Sequence, residues 1–460
     1  MQITGVTTHR ASRRAFTAMS LAAVGAAATA SATLAQTPAA TPAATPIPGS
    51  TAPGDGRFLI AGDRSQRFIS IYSIPDLALA ATIENVSYGV HGGALQLPDG
   101  RLLFVDTGND AIVTLAVDAN GQPVLADSVS GTFGGGVAWV VASPDFRYVA
   151  IGSLLEEGST QVINILDVET FANTEVEIEM VEAEELTAWL LNDPLNIYLA
   201  VGGQVNSYLL SELLAGNTEP LNTVQVELES HGGATDAANA RIFLTTGVGT
   251  GFEVLDVAGG EATYLTQIPW DIDGFSGARN ARARVTHDGQ HIFGVMAPAL
   301  EDPTQWTDLV VTNHITDTAN LTATRVQIGT GLFGTRWGIT DRYALWAGYN
   351  ADGGTVYLID ADATSDTFGT AIATFPIPAP QTNGAVPGED STGTDTYTTA
   401  ITADSAYGFV AINGDQLVKV YDLATQTEIG EIALDLPFAG FDGFLTILEP
   451  GVVPVDLWGR

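Results

Sequence analysis

Two copies of one tetrapeptide are the first feature of this chain that could do chemistry. Residues 91–94 read His-Gly-Gly-Ala, and residues 231–234 read the same. The whole chain holds only six histidines, so a third of them stand in this one repeated setting. An imidazole is a common metal ligand, but it also hydrogen-bonds readily to backbone carbonyls. The repeat therefore indicates either a structural corner or a pair of ligands that the fold brings together.

A repeating pattern of short strands surrounds both copies. From residue 55 onward, short apolar runs that read as strands are separated by turns that carry Asp or Asn. A period of roughly 40–50 residues with four short strands in each unit is typical of a β-propeller. Only the stretch 207–215 favours a helix. The turn residue recurs at Asp55, Asp99, Asp145, Asp193, Asn239, Asp288, Asp341 and Asp404.

These turns predict an all-β fold, a β-propeller of eight four-stranded blades, with seven blades as the alternative if one unit is misread. The first unit lacks an inner strand, and the apolar run 444–448 is left over after the last unit. We therefore expect this C-terminal strand to complete the first blade and to close the ring. Each blade alone leaves two apolar faces open, and stacking around a ring buries both.

Four residues are candidates for a metal site at the mouth of the central channel. Counting eight residues back from the turns gives the point where each inner strand begins, and there the chain places His91, Glu185 and His231. Asp442 takes the corresponding position before the closing strand. Two imidazoles with one or two carboxylates meet the ligand number and type that zinc prefers. The chain has no cysteine, so a thiolate site is excluded.

The N-terminus has the features of an export signal. Residues 12–16 read SRRAF and resemble the twin-arginine motif, and an apolar stretch over about 18–35 follows, too short and weak for a stable membrane span. We predict a signal peptide over 1–35, an extended Pro/Thr/Ala-rich linker over 36–54, and a single propeller domain over 55–460. The mature chain would then be periplasmic or extracellular, without a stable membrane span.

The charge of the chain limits its partners. Fifty-three acidic against 17 basic residues give a formal net charge of −36. Nucleic-acid binding needs a basic surface, so this balance argues against it. An acidic surface is well solvated and attracts cations.

The sequence shows no recognisable set of catalytic residues. It has no phosphate-binding glycine loop that opens a helix and no Gly-x-Ser-x-Gly turn between a strand and a helix. Its carboxylates are too numerous to single out a pair for sugar cleavage. This lowers the expectation of an enzyme, although propellers assemble sites from distant loops.

At its two His-Gly-Gly-Ala corners the chain resembles the periplasmic zinc metallochaperones of the AztD type. Members of that family carry His-Gly motifs where blade strands begin, and the stretch 247–256, GVGTGFEVLD, is similar in style. The resemblance implies an exported propeller that hands zinc to the binding protein of an ATP-driven metal importer. The repeats over 55–448 also resemble, more broadly, the exported YVTN-type and quinoprotein-like propellers.

Three functions stay open at this point. The first is a binding protein that holds a divalent metal, zinc, through His91, His231 and a carboxylate, Glu185 or Asp442. The second is a metal-dependent hydrolase or lactonase at the same mouth, in which the metal activates water. The third is a metal-free scaffold for protein interactions.

Overall fold

The computed structural model describes most of the chain that follows the predicted linker. The described residues are 45–46, 55–63, 67–88, 93–133, 138–153, 161–178, 187–201, 203–226, 233–244, 251–269, 278–286, 291–298, 307–314, 324–330, 337–350, 353–377, 397–412, 416–434, 443–452 and 457. All of them belong to one compact unit, residues 40–460. The predicted signal peptide lies outside them. In this part of the chain, no helix combines the length and the apolar character that a membrane crossing requires.

Eight antiparallel sheets make up this unit, and we number them as blades 1 to 8. Blade 1 contains β2 (Arg57–Asp63), β3 (Phe68–Ile74), β4 (Leu79–Glu84) and β33 (Gly443–Leu448). Blade 2 contains β5 (Ala94–Gln96), β6 (Leu102–Asp106), β7 (Ala111–Val117) and β8 (Pro123–Ser130), with the short β1 (Thr45–Pro46) added to the outer edge of β8. Blade 3 contains β9 (Ala138–Ala142), β10 (Tyr148–Ser153), β11 (Gln161–Asp167) and β12 (Ala172–Ile178). Blade 4 contains β13 (Thr187–Leu191), β14 (Asn196–Val201), β15 (Gln204–Leu209) and β16 (Asn222–Gln225).

The remaining four blades repeat the same strand order. Blade 5 contains β17 (Gly233–Asp236), β18 (Arg241–Leu244), β19 (Gly251–Asp256) and β20 (Thr263–Pro269). Blade 6 contains β21 (Ala278–Val285), β22 (His291–Pro298), β23 (Thr307–His314) and β24 (Thr324–Thr330). Blade 7 contains β25 (Trp337–Ile339), β26 (Tyr343–Asn350), β27 (Gly353–Asp360) and β28 (Ala371–Ile377). Blade 8 contains β29 (Tyr397–Ile401), β30 (Tyr407–Ile412), β31 (Leu417–Asp422) and β32 (Thr427–Ala433).

The C-terminal strand closes the ring. β33 pairs antiparallel with β2, from Phe58 opposite Leu448 to Asp63 opposite Gly443. The prediction that a C-terminal strand completes the first blade is therefore confirmed. With this strand in place the sheets form eight blades, not seven.

The core of the unit consists of layers between neighbouring blades. One apolar cluster joins blades 1 and 2, in which Phe58 and Phe104 lie together, and another joins blades 7 and 8 through Leu345 and Val410. Strands covered on both faces read as continuous apolar runs, as in β6, whereas the outer strand β12 exposes four of its seven residues. Each fully buried aliphatic side chain contributes about 1.5–3 kcal/mol. These layers fix the order of the blades and so the position of every loop.

The turns lie where the sequence predicts them. Seven of the eight turn residues are described, and each lies just before the second strand of its blade, as Asp99 and Asp145 do before β6 and β10. Asp288 lies outside the described residues. The stretch with helical periodicity forms α1 (Leu210–Leu214), a single short helix in the connection between β15 and β16. We call the end of the blades that carries these turns the turn end, and the opposite end, where the first strands begin, the corner end.

Candidate functional site

The first strands of the blades surround the centre of the ring. β17 contacts β21, β25 contacts β29, and β29 contacts β33, so the inner strands of successive blades touch one another. Both His-Gly-Gly-Ala copies lead directly into such a strand. The first copy ends at Ala94, where β5 begins, and the second runs into β17, which begins at Gly233. The predicted equivalence of the two corners, one in blade 2 and one in blade 5, is thus borne out at the level of the strands.

The corner of blade 2 is anchored on both sides at the end of β6. Before the corner, Tyr88 forms a β-bridge with Asp106, the last residue of that strand. After it, the N–H of Val105 donates to the carbonyl of Gly93 at 2.9 Å. Residues 89–92, which include His91, lie outside the described residues. The chain therefore leaves and returns at the same end of one strand.

The corner of blade 5 depends on a glycine. A Cβ atom on Gly233 would collide with the carbonyl oxygen of Phe243, and it would lie 3.1 Å from Cζ2 of Trp189 in blade 4. No side chain fits here, so this glycine lets β17 pack closely against blade 4. His231 and Gly232 lie outside the described residues.

The two corners differ in register by one residue. Ala94 lies opposite Phe104 in blade 2, whereas Ala234 lies opposite Phe243 in blade 5. The turn that follows is one residue longer in blade 2, because five residues separate the last pair there and four in blade 5. His91 precedes Arg101 by as many residues as His231 precedes Arg241. The strands that follow the two histidines nevertheless pair in different registers.

The other two candidate ligands also stand just before inner strands. Glu185 precedes β13 of blade 4 by two residues, and Asp442 immediately precedes β33 of blade 1. Both lie outside the described residues, like the two histidines. The four predicted ligands thus belong to blades 1, 2, 4 and 5. Among the residues that the structure describes, no group of three or more His, Asp or Glu side chains could hold a metal ion.

The structure adds three buried carboxylates at the corner end that were not among the predicted ligands. Asp63 and Asp106, the last residues of β2 and β6, are 1% and 3% exposed, and Glu253 in β19 is fully buried. Asp106 accepts hydrogen bonds from the backbone N–H of Ser87 at 2.9 Å and from Nδ2 of Asn109 at 2.6 Å. The signal for two of them was present in the sequence, because an acid directly ends the apolar runs 57–63 and 102–106.

The turn end carries a cavity of about 400 Å³ between blades 6, 7 and 8. Hydrogen bonds from Thr364 lower the pKa of Asp362, one of its lining carboxylates. Burial raises the pKa of Asp404, but hydrogen bonds from Thr402 and Ala406 and the charge of Arg57 outweigh it, so this pKa is lowered as well. The cavity is lined by Thr286, Asp341, Arg342, Ala361, Asp362, Ala363, Thr364, Ala403, Asp404 and Ser405. Part of this lining is hydrogen-bonded within its own turns, as Asp362 is by Thr364 and Asp404 by the backbone N–H of Ala406.

The remaining histidines lie away from the two corners. His291 begins β22 at the turn end and packs edge-on against Phe368, with 5.2 Å between the ring centroids. It lies directly opposite His314 of β23. His287 lies outside the described residues. His291 is partly buried against blade 7.

No family model and no curated protein matches this chain. Solved structures do resemble it. Structures of AztD from Citrobacter koseri match with TM-scores of 0.58 and, for the apo form, 0.57, at 10% and 11% identity, and both comparisons cover 86% of this chain and 99% of the other. The dihydro-heme d1 dehydrogenase NirN in complex with DHE matches with a TM-score of 0.57 at 14% identity, over 90% of this chain and 80% of the other. At such low identity these similarities show the fold: the chain is a β-propeller of the kind found in AztD and NirN.

Proposed function

We propose that this protein is an exported binding protein that holds a divalent metal ion, zinc, at the corner end of its propeller. His91 and His231 provide imidazole nitrogens, and Glu185 and Asp442 provide carboxylate oxygens. The metal is cargo and not a catalyst, and its recipient is the binding protein of a metal importer.

The observation that carries this proposal is the placement of the two tetrapeptides. Each leads directly into an inner strand, β5 in blade 2 and β17 in blade 5. Inner strands border the centre of the ring, so each histidine stands in the chain just before a strand that lines one common axis. A purely structural corner would need the glycines, as Gly233 demonstrates by its fit against Phe243 and Trp189, but it would not need a histidine in both copies.

The chemistry of the donors fits zinc. Neutral imidazole and carboxylate are ligands that zinc accepts, at about 2.0–2.2 Å, and four of them complete its usual tetrahedral shell. The net charge of −36 favours the approach of a cation and of a partner with a basic surface. The resemblance of the corners to zinc metallochaperones, together with the fold shared with AztD, favours zinc over other divalent ions.

Metal analysis and titration of purified mature protein test this proposal. We expect about one zinc ion per chain, as a single four-ligand site requires. Losing a direct ligand should weaken zinc binding by more than about 100-fold in either His91→Ala or His231→Ala, since losing even an outer-shell partner costs 10–100-fold. His291→Ala is the matched control, because this histidine lies at the turn end, and it should bind zinc like the parent protein.

Two results would overturn the proposal. Zinc binding that is unchanged in both corner variants would return the histidines to a structural role and leave a metal-free scaffold. Zinc-dependent hydrolysis of a lactone or an ester by the parent protein would instead identify a hydrolase in which the metal activates water.

A further inference from the structure

The cavity at the turn end is large enough for a small molecule. Its volume of about 400 Å³ lies inside the range of about 300–1,000 Å³ that small-molecule sites occupy. The turns of blades 7 and 8 provide most of its lining, and Thr286 of blade 6 provides the rest. The cavity lies at the end of the propeller opposite the proposed metal site, so a ligand bound here would be independent of the metal.

The turn of blade 7 departs from the repeat at this cavity. In blade 2 an arginine follows the turn acid by two residues and pairs with it, as Arg101 does with Asp99 at 2.6 Å. Blade 1 repeats this arrangement. In blade 7 the arginine follows the acid directly, in the sequence Asp341-Arg342, and both residues line the cavity. Departures from the local rules of a fold are expected at functional sites.

A threonine holds the turn of blade 7 in place of the acid. In blade 2 the carboxylate of Asp99 accepts the backbone N–H of Arg101 at 3.0 Å. In blade 7 the hydroxyl oxygen of Thr340 accepts the backbone N–H of Tyr343 at 3.1 Å instead. The carboxylate of Asp341 is exposed and makes no hydrogen bond within the part of the chain that the structure describes. The turn therefore does not need this carboxylate.

The guanidinium group of Arg342 lies at the cavity without an ionic partner. Its Cζ atom lies 4.9 Å from the ring centroid of Tyr343, which is itself buried. Hydrogen bonds from Thr364 hold the pKa of Asp362 below its ordinary value, and the charge of Arg342 lowers this pKa further. No ion pair joins Arg342 to Asp362 or to any other carboxylate among the described residues. Its N–H groups are therefore available to an anionic group of a ligand.

The other carboxylates of the lining differ in how far they are already engaged. Asp404 accepts N–H groups of Arg57 and Ala406 at 2.8 and 3.0 Å. Asp362 uses only its Oδ1 atom, which accepts the N–H and the hydroxyl of Thr364 at 2.9 and 2.6 Å. Its Oδ2 atom accepts no hydrogen bond from the described residues. This oxygen and the carboxylate of Asp341 are thus available to a cationic group.

We propose that this cavity binds a small zwitterion, an α-amino acid, whose carboxylate pairs with Arg342 and whose ammonium group pairs with Asp341 and Asp362. A guanidinium group matches a carboxylate with two parallel N–H···O bonds, and ionised carboxylates accept the N–H groups of an ammonium ion. A simple anion would meet the lining carboxylates as like charges, and a simple cation would leave the guanidinium group unpaired. The proposal does not rest on metal binding at the corner end.

Calorimetric titration of the chelator-treated protein with three matched probes tests this proposal. L-Alanine carries both charged groups, propionate lacks the amino group, and ethylamine lacks the carboxylate. Chelator treatment is needed because amino acids also bind metal ions. We expect about one L-alanine per chain and binding of propionate and ethylamine that is about tenfold weaker or more, since each lacks one charge-assisted contact. A parent protein that binds no L-alanine, or that binds either analogue as tightly, would overturn the proposal.

Two substitutions locate the site. Arg342→Gln replaces the guanidinium group with a neutral amide, and Asp341→Asn removes the charge that pairs with the ammonium group. Each should weaken the binding of L-alanine by about tenfold or more. Both side chains are exposed and make no ion pair among the described residues, so urea unfolding should show the stability of the parent protein in both variants.

Each substitution has a matched control. Arg147→Gln changes an arginine of the turn end in blade 3, and Asp366→Asn changes an exposed aspartate of blade 7 that does not line the cavity. Both controls should bind L-alanine like the parent protein. L-Alanine binding that is unchanged in both Arg342→Gln and Asp341→Asn would place the ligand elsewhere and refute this site.

Discussion

The two ends of the propeller are held together by different forces. At the turn end, arginines two residues after the turn make ion pairs with the turn aspartates and with neighbouring strands. Arg101 lies 2.6 Å from Asp99 and 2.6 Å from the buried Asp127, and Arg147 lies 2.6 Å from Asp167. At the corner end, glycines and aromatic rings pack closely, as Gly233 does against Trp189.

Contacts at the turn end also join blade 1 to blade 8, where the ring closes. Arg57 pairs with Asp55 at 2.6 Å within blade 1 and with Asp404 of blade 8 at 2.8 Å. Glu449, just after β33, accepts the backbone N–H of Ala403 with both carboxylate oxygens, at 3.1 and 2.9 Å. The charges of Arg57, Asp55, Asp404 and Glu449 are thus matched within the protein where the first and last blades meet.

The corner end differs from the turn end in the charged groups that it buries. It contains the buried carboxylates Asp63, Asp106 and Glu253, and the inner strands begin there after two histidines. Among the described residues, the arginine ion pairs of Arg57, Arg101 and Arg147 all lie at the other end. The corner end therefore differs from the turn end in burying carboxylates near the points where the inner strands begin.

The largest effect is expected from the packing of the corner end. Phe444 in β33 is buried and stacks on Tyr88, the residue that anchors the corner of blade 2. Phe444→Ala should lower the free energy of unfolding by about 3–5 kcal/mol, because it leaves a cavity. Urea unfolding measures this, and Phe444→Leu, which keeps most of the volume, should cost clearly less. Equal losses in both variants would show that the ring contact is not a packing contact.

Next in size is a buried charge at the turn end. Asp127 is 7% exposed, pairs with Arg101 and accepts the hydroxyl of Thr114 at 3.1 Å. Asp127→Ala should lower the free energy of unfolding by about 3 kcal/mol, since it removes the buried carboxylate that pairs with the guanidinium of Arg101. The matched control is Asp99→Asn, which removes the more exposed partner of the same arginine and should cost less than about 1 kcal/mol. If Asp99→Asn lowers the free energy of unfolding as much as Asp127→Ala does, burial does not make the Arg101–Asp127 pair the stronger of the two.

A smaller loss is expected when a methyl group is added at the second corner. Gly233→Ala places a Cβ against the carbonyl of Phe243 and the ring of Trp189, so β17 must shift. We expect a loss of about 1–3 kcal/mol in urea unfolding. Gly259→Ala, at an open position in the same blade, is the control and should leave the stability nearly unchanged. A neutral Gly233→Ala would contradict the close approach of blades 4 and 5.

The smallest expected effect is on the pH dependence of stability, to which an ion pair of the turn end contributes. The hydrogen bond from Arg57 holds the pKa of Asp55 below its ordinary value of 3.8. A lowered pKa in the folded state adds stability that is present above the ordinary value and is lost as the pH falls through the folded one. Asp55→Asn should therefore flatten the fall of stability in the acid range below about pH 4, whereas Phe444→Leu should keep the parent slope. An unchanged slope in Asp55→Asn would show that this ion pair adds nothing to acid stability.

The sequence predicted the fold well because the repeat is written in local signals. Apolar runs and turn aspartates such as Asp99 and Asp145 follow directly from strand and turn chemistry, and the leftover run 444–448 revealed the closure of the ring. The register at the corners could not be predicted from the sequence. One extra turn residue in blade 2 shifts the strand pairing, but the spacing from the corner histidine to the next arginine is the same in both blades.

The candidate site was predicted only in part. Counting back from the turns found residues that directly precede inner strands, since those positions follow from strand length. Glu253 was missed because it stands in the middle of an apolar third strand, where only the pairing with Leu244 and Gly233 reveals that it is level with the second corner. A buried acid within a strand is visible in the sequence, but its neighbours across blades are not.

The most direct test of the central claim is zinc titration of the chelator-treated mature protein beside His91→Ala, His231→Ala and His291→Ala. The account predicts about one tightly bound zinc ion per chain in the parent protein and in the turn-end control, and a loss of more than about 100-fold in affinity in each corner variant. Equal zinc binding in all four proteins, or none in the parent, would contradict it.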